Sequence, residues 1–246
     1  MTFKLSDANW LACLADLAYQ DDPKVEGALS VRRIFSAATE IHFLLIEYAE
    51  KVVLVGRGTK GRKNLFEDAA IQFVKVGGGI KIHKGFYDAL MSVWDQIEPI
   101  LVACKKTLYL AGHSLGAALV RVCLWKMRTA IGMLPAAIYT IGEPRSFNRA
   151  GAKWLEGLGV ESWRIVNRSD VVTWIPWRCG LYRHVGNSAW LELDGIEFNV
   201  PAIWRIPEAI GGLIREWKLR KGGDVLIFDH GADRYCKDIA ALPIAA

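Results

Sequence analysis

The chain has 246 residues, of which 52% are hydrophobic and 23% charged, and its formal net charge at pH 7 is +5. This length and hydrophobic content predict a single α/β domain, residues 1–246, with a large core rather than a disordered chain. The positive charges are scattered and no apolar run reaches the length of a bilayer span, so we expect neither a nucleic-acid partner nor a transmembrane segment.

The N-terminal segment predicts an amphipathic helix rather than a signal peptide. Apolar side chains recur at helical spacing from Trp10 to Ala18, and Ser6 is a candidate N-cap. Asp7 and Asp16 interrupt the apolar residues, which a signal peptide would not do. The segment is therefore interpreted as a first helix that faces the core.

The cysteines are odd in number and widely spaced, with no C-x-x-C pair. They are Cys13, Cys104, Cys123, Cys179 and Cys236. We interpret them as reduced, mostly buried thiols rather than a disulfide framework, and no metal-ligand spacing is present. Without a visible secretion signal, we expect a cytoplasmic protein with possible peripheral membrane contact.

Strand-like and helix-like segments alternate along the rest of the chain. Segments 41–48 and 51–55 are predicted as antiparallel strands. After them come strands at 80–83, 107–111, 136–141 and 162–166, and helices at 85–104, 117–125 and 149–158. Strands that alternate with helices of this length predict a mostly parallel central sheet with helices on both faces.

The sequence Gly112-His113-Ser114-Leu115-Gly116 lies between the strand at 107–111 and the helix that follows it. Strand, G-x-S-x-G and helix together are typical of a nucleophile elbow, a sharp turn that holds its central serine in a strained conformation. Side chains at the flanking glycines would collide with the neighbouring strand and helix. Ser114 is therefore predicted as a nucleophile.

A serine hydroxyl needs a histidine to remove its proton and a carboxylate to orient that histidine. In this fold the acid and then the histidine follow the serine, which leaves only His184 and His230 as candidates. His230 is favoured because it lies between an apolar segment and a final helix-like stretch, and His184 is interpreted as structural. Asp170, just past a strand end, is the predicted acid, whereas Asp194 beside Gly195 is interpreted as a turn residue.

Two backbone positions are candidates for an oxyanion hole. The N–H of Leu115 directly follows the nucleophile and is one expected donor. Thr59 is the second, because the strand at 51–55 ends in Gly56-Arg57-Gly58-Thr59, where glycines let the backbone turn towards the site. The alternative for Gly58-Thr59 is an ordinary turn.

With these motifs assembled, the chain resembles the class 3 lipases, the fungal-lipase-like branch of the α/β-hydrolases. The similar segments are 56–59, 83–86, 112–116, 142–145, 167–176, and 229–230 with Tyr235. The resemblance implies a triad of Ser114, Asp170 and His230, an oxyanion hole of Thr59 and Leu115, and no cofactor or metal. It also implies structural roles for His83, His113 and His184.

The chain departs from the family pattern in several places. Gly56 stands where the family has an aromatic residue, and segment 197–223 is an insertion relative to compact fungal members. In segment 60–79, Leu65, Phe66, Ala69 and Phe73 form a possible apolar stripe. That segment is either a mobile lid over the site or a fixed helix packed on the sheet.

The residues and the resemblance together predict a serine carboxylic ester hydrolase. Its substrates would be fatty-acyl esters such as acylglycerols, met at a lipid–water interface. A phospholipase A-type hydrolase or an acyltransferase with the same triad is the alternative. A non-catalytic lipid-binding protein is less favoured, because it would be expected to lack part of the triad.

Overall fold

The computed structural model describes residues 2–58, 72–168, 170–176, 181–192, 195–200 and 230–242. The helices in these ranges are α1 (Leu5–Leu17), α2 (Lys84–Ala103), α3 (Leu115–Ile131), α4 (Arg149–Glu156) and α5 (Ala232–Ala240). The strands are β1 (Ser30–Ser36), β2 (Ile41–Glu47), β3 (Lys51–Gly56), β4 (Phe73–Lys75), β5 (Lys81–His83), β6 (Thr107–His113), β7 (Ala137–Ile141), β8 (Glu161–Asn167), β9 (Asn187–Leu191) and β10 (Ile196–Phe198).

Eight of these strands form the central sheet, in the order β1-β2-β3-β6-β7-β8-β9-β10. Strands β3, β6, β7, β8 and β9 are parallel to one another, whereas β1, β2 and β10 pair antiparallel at the two edges. The prediction of a mostly parallel sheet is confirmed. The sequence did not predict strand β1. In this edge strand only Ile34 is buried, so its residues show no clear alternation of buried and exposed side chains.

Alternate side chains of the parallel strands supply two hydrophobic layers. In β6, Leu108 and Leu110 belong to the cluster that packs on α2, α3 and α4, whereas Ala111 belongs to the cluster on α1 and α5. Each fully buried leucine contributes roughly 1.5–3 kcal/mol relative to an exposed one. Helices therefore cover both faces, as predicted, and the carboxyl ends of the parallel strands share one edge. In the described ranges, no helix combines the length and apolarity needed to cross a membrane.

Helix α1 differs from the sequence prediction in its first turn and in its cysteine. The helix begins after Lys4, so Ser6 lies inside the first turn and is not the N-cap. Cys13 on α1 forms a disulfide with Cys236 on α5, 223 residues away. The interpretation of these two cysteines as reduced thiols is wrong, because the packing of α1 on α5 that joins them has no signature in sequence spacing.

Candidate active site

Ser114 occupies a strained backbone position between β6 and α3. Its φ of 56° and ψ of −127° are uncommon for a residue with a side chain. Its backbone N–H donates to the carbonyl oxygen of Ile141, at the end of β7, over 2.9 Å. Leu115 is the first residue of α3, so its N–H has no partner within the helix and can serve a ligand at the positive end of the helix dipole. The backbone has the geometry that the elbow motif predicts.

Two glycines allow α3 to approach the sheet closely enough to present the serine. A Cβ atom on Gly116 would lie 2.1 Å from the carbonyl oxygen of Gly56, and one on Gly56 would lie 2.5 Å from the carbonyl oxygen of Gly116. Both contacts are with backbone, which cannot move without shifting a strand or a helix. The close approach leaves no room for a side chain at position 56 in this structure.

Asp170 and His230 meet at the same edge of the sheet. Nδ1 of His230 lies 2.8 Å from Oδ2 of Asp170, and their side chains are 8% and 0% exposed. Asp170 comes just after β8, and His230 comes just before α5. Because a carboxylate only accepts hydrogen bonds, Nδ1 carries the proton and Nε2 is left with a free lone pair in the neutral ring.

Two further donors hold the carboxylate of Asp170. The backbone N–H of Val172 donates to Oδ1 over 2.9 Å, and the hydroxyl of Tyr235 donates to Oδ2 over 2.7 Å. The same hydroxyl accepts the backbone N–H of Asn167 over 2.8 Å. From the sequence, Tyr235 is visible only as part of a terminal motif, and no role was predicted for it. Its position five residues after His230, on the helix that follows, is the signal that could have indicated one.

In the reaction of a serine triad, a proton would pass between Oγ of Ser114 and Nε2 of His230. Among the described residues, neither Oγ of Ser114 nor Nε2 of His230 has a hydrogen-bond partner, although both atoms are buried. The end of β7 lies beside both residues: Ile141 accepts the backbone N–H of Ser114, and a Cβ atom on the next residue, Gly142, would lie 2.9 Å from Cε1 of His230 and 2.9 Å from Oδ2 of Asp170. A catalytic hydrogen bond is often long without substrate and shortens when substrate binds.

Of the remaining candidates for the site, His184 lies away from the proposed triad and most of the others are not among the described residues. Nε2 of His184 donates to the carbonyl oxygen of Thr173 over 2.8 Å and so serves the backbone rather than Asp170. Thr59, Asp194 and residues 60–71 of the predicted lid lie outside the described residues. Phe73, predicted to belong to a helical apolar stripe of that lid, lies instead in strand β4. Of the two predicted oxyanion donors, the structure therefore describes the Leu115 amide and not Thr59.

A buried ion pair ties α3 to the loop that carries Gly142. Arg121 donates from Nε and Nη2 to the two carboxylate oxygens of Glu143 over 3.1 and 2.9 Å, and these side chains are 0% and 1% exposed. Nη1 of Arg121 also donates to Oγ of Ser162 on β8 over 2.7 Å. Two parallel hydrogen bonds fix direction as well as distance. No role was predicted for Arg121, because nothing along the chain indicates that it faces Glu143.

Two histidines with lowered pKa values make the folded state sensitive to acid. Burial, followed by the nearby His230, lowers the pKa of His113 well below 6.5. Burial, followed by the charge of Arg164, lowers the pKa of His184 well below the same value. Each ring stays neutral in the folded protein over a pH range in which the unfolded chain would bind a proton.

We predict that the free energy of unfolding falls as the pH is lowered from 6.5 to 5.5, by up to about 1.4 kcal/mol per pH unit for each of these histidines. The unfolded state binds the extra protons in this window. The stabilising contribution is therefore complete above pH 6.5 and is lost towards the folded-state pKa. Urea unfolding at several pH values measures the slope.

His184→Gln is the matched variant for this prediction, since a glutamine amide can still donate to the Thr173 carbonyl but does not titrate. It should reduce the slope between pH 6.5 and 5.5, leaving the contribution of His113. Burial raises the pKa of Asp16, which opposes the trend. An unfolding free energy that stays constant over this window would contradict the prediction.

A strained serine at a strand-to-helix elbow, followed in the chain by an aspartate and a histidine that hydrogen-bond to each other, defines the α/β-hydrolase class. The sequence profile of the family described as Lipase (class 3) matches residues 53–179, more than half of the chain. The chain therefore belongs to the class 3 lipase family, as its motifs predict.

Similar proteins of known identity include lipases and a phospholipase. The chain is 28% identical to the lipase of Rhizomucor miehei over 156 residues, which are 58% of this chain and 42% of that protein. It is 38% identical to the chloroplastic phospholipase A(1) DAD1 of Arabidopsis thaliana over 68 residues, which are 27% of this chain and 15% of that protein. The chain thus spans less than half the length of these relatives.

Solved structures of fungal lipases share the fold. Lipase II from Rhizopus niveus superposes with a TM-score of 0.73 at 20% identity, covering 92% of both chains. The lipase from Rhizopus microsporus var. chinensis superposes with a TM-score of 0.72 at 21% identity, covering 83% of both chains. The predicted α/β-hydrolase fold is confirmed.

Proposed function

We propose that the protein is a serine carboxylic ester hydrolase that cleaves fatty-acyl esters through an acyl-enzyme. The observation that carries this proposal is the pairing of Asp170 with His230 beside Ser114, whose Oγ and the Nε2 of His230 are both buried without partners among the described residues. Buried polar atoms without partners cost stability, and a catalytic role is one reason for a protein to keep them.

Each residue has a defined task in the proposed reaction. Oγ of Ser114 attacks the ester carbonyl carbon while Nε2 of His230 takes the hydroxyl proton. Asp170 keeps the proton on Nδ1 and stabilises the imidazolium that forms. His230 then gives its proton to the leaving alcohol, and the ester C–O bond breaks to leave an acyl-serine. Water activated by His230 releases the fatty acid and restores the serine.

The N–H of Leu115 supports the proposal as a donor to the negative oxygen of the tetrahedral intermediate. It lies at the N-terminus of a 17-residue helix, where the dipole favours negative charge. Removing one donor of such a pair typically costs roughly 2.7–4 kcal/mol of transition-state stabilisation. Thr59 is the proposed second donor, on the sequence pattern alone.

The substrate class rests on membership of the class 3 lipase family. The lipase relatives favour acylglycerols, and the similarity to a chloroplastic phospholipase A(1) favours phospholipids as the second candidate. Both substrates require the same chemistry and differ in the leaving group. We further propose that the protein acts on esters presented at a lipid–water interface.

A fluorophosphonate probe and a panel of p-nitrophenyl esters test the proposed function. The wild-type protein should gain one covalent adduct on Ser114 and hydrolyse the esters, whereas Ser114→Ala should do neither. Ser146→Ala, another buried serine, is the matched control and should react like wild type. A wild-type protein that neither labels nor hydrolyses any ester of the panel would overturn the proposal.

Product analysis on lipid substrates then separates the two candidate leaving groups. Triacylglycerol emulsions and phosphatidylcholine vesicles should differ in the fatty acid released per enzyme. A rise in rate when a soluble ester passes its critical micelle concentration supports action at an interface. A smooth saturation curve through that concentration contradicts it.

A further inference from the structure

His113 connects the backbone of the predicted nucleophile to the backbone of the predicted base. It directly precedes Ser114 in the chain, and its Nε2 lies 2.6 Å from the carbonyl oxygen of His230. The ring centroids of His113 and His230 are 4.6 Å apart. A single side chain therefore fixes the distance between the two residues, independently of the contact between His230 and Asp170.

Tyr19, in the segment after α1, holds the other side of the His113 ring. Its hydroxyl lies 2.8 Å from Nδ1 of His113, and the two rings meet edge to face with centroids 5.7 Å apart. The backbone after β3 closes over this contact, since a Cβ atom on Gly58 would lie 2.1 Å from the Tyr19 hydroxyl and 3.0 Å from Cβ of Ser114. The tyrosine hydroxyl is thus enclosed beside the nucleophile.

The chemistry of the partners sets the direction of both hydrogen bonds. A backbone carbonyl only accepts, so Nε2 of His113 carries the ring proton and donates to His230. Nδ1 of the neutral ring is then an acceptor, and the Tyr19 hydroxyl must donate to it. The His230 carbonyl therefore sets the tautomer of His113, and the Tyr19 hydroxyl donates to the nitrogen that is left without a proton.

We propose that Tyr19 and His113 are positioning residues for the acyl transfer, forming a chain of hydrogen bonds that fixes the His230 backbone relative to Ser114. The inference rests on the proposed function of that site. His230 is anchored at two points, its ring by Asp170 and its carbonyl by His113. The two anchors together restrict where Nε2 can approach the serine hydroxyl.

A neutral His113 also avoids charge repulsion with His230 during the reaction. During acyl transfer His230 becomes an imidazolium, with its ring centroid 4.6 Å from that of His113. A second positive charge at that distance would oppose the transfer of the serine proton. Burial and the proximity of His230 lower the pKa of His113, so its ring stays neutral when His230 is charged.

Three variants test the proposal with the esters used above. Tyr19→Phe removes one hydroxyl and keeps the ring, and His113→Leu removes both hydrogen bonds. Misplacement of reacting groups by about 1 Å can cost about 100-fold, so we expect kcat to fall tenfold to 100-fold with KM within twofold of wild type. His113→Gln keeps a side-chain N–H for the His230 carbonyl and should recover most of the lost kcat.

Nuclear magnetic resonance of ¹⁵N-histidine-labelled protein gives a second readout, independent of activity. The wild-type spectrum should contain a neutral histidine with its proton on Nε2, assigned to His113 by its loss in His113→Gln. In Tyr19→Phe the proton should stay on Nε2, which still faces the His230 carbonyl, but the ¹⁵N resonance of Nδ1 should shift because that nitrogen loses its hydrogen bond. An Nδ1 resonance that is the same in Tyr19→Phe and in the wild type would overturn the role assigned to the tyrosine.

The kinetic outcomes separate this inference from the proposed function. If the wild type is active and Tyr19→Phe and His113→Leu keep kcat within twofold, the positioning role is overturned and the hydrolase proposal stands. A loss of kcat that only follows the folded fraction, measured by near-ultraviolet circular dichroism, also overturns the role. A wild type without esterase activity or probe labelling overturns both.

Discussion

Replacing His230 by alanine is expected to lower kcat for acyl-ester hydrolysis by roughly 10⁶-fold, the loss typical when the base of a serine triad is removed. Without the imidazole, no group next to Ser114 can take its proton, and the hydroxyl has a pKa far above the working pH. KM should change little, because His230 acts on the reacting proton. Steady-state kinetics with a p-nitrophenyl ester measure both constants.

His184→Ala is the matched control, since both residues are histidines that follow Ser114 in the chain. Its Nε2 hydrogen-bonds to the backbone of Thr173, so the variant should lose some stability and keep kcat within a few-fold of wild type. Thermal unfolding of both variants separates lost folding from lost chemistry. If His184→Ala abolished hydrolysis and His230→Ala left it, the assignment of the base would be wrong.

Local sequence patterns predicted the elements that position the site, because short-range sterics determine them. The elbow at Ser114 needs glycine on both sides, and this requirement is visible in five consecutive residues. Alternation of strands and helices predicted the parallel sheet, and parallel strands bring their carboxyl ends to one edge. Asp170 was found by that rule, since it lies just past β8.

Contacts between distant segments could not be predicted in the same way. The disulfide of Cys13 with Cys236 depends on α1 lying against α5, and neither helix contains a pattern that specifies its neighbour. Arg121 and Tyr19 likewise contact partners on distant segments that their local sequence does not indicate. Each is a polar residue in a helix or helix end whose partner is supplied by another segment, so the sequence alone indicates only its type and not its task.

The site nonetheless depends on these distant contacts. The Arg121–Glu143 pair holds the loop whose glycine faces Asp170 and His230, and breaking one partner of such a buried pair costs roughly 3–5 kcal/mol. The disulfide joins α1, which precedes Tyr19, to α5, which contains Tyr235. Both helices lie on one face of the sheet, and each positions a tyrosine. Tyr19, just after α1, hydrogen-bonds to His113, and Tyr235 on α5 hydrogen-bonds to Asp170.

Asp170→Asn is expected to lower kcat by about 10⁴-fold while the protein stays folded. The carboxylate of Asp170 faces three donors, from Val172, Tyr235 and His230, and both of its oxygens accept. An asparagine offers one oxygen and one NH₂ group. The NH₂ group must then face at least one donor, or the imidazole must change its tautomer to accept from it.

The change of tautomer is what would stop the reaction. If Nδ1 of His230 accepts from the asparagine, the ring proton moves to Nε2, and that nitrogen can no longer take the proton of Ser114. Asp88→Asn, an exposed carboxylate on α2 paired with Lys84, is the control and should keep kcat unchanged. A variant at position 170 with kcat within tenfold of wild type would mean that the carboxylate only supports the fold. In that case His230 would need another group to hold its tautomer.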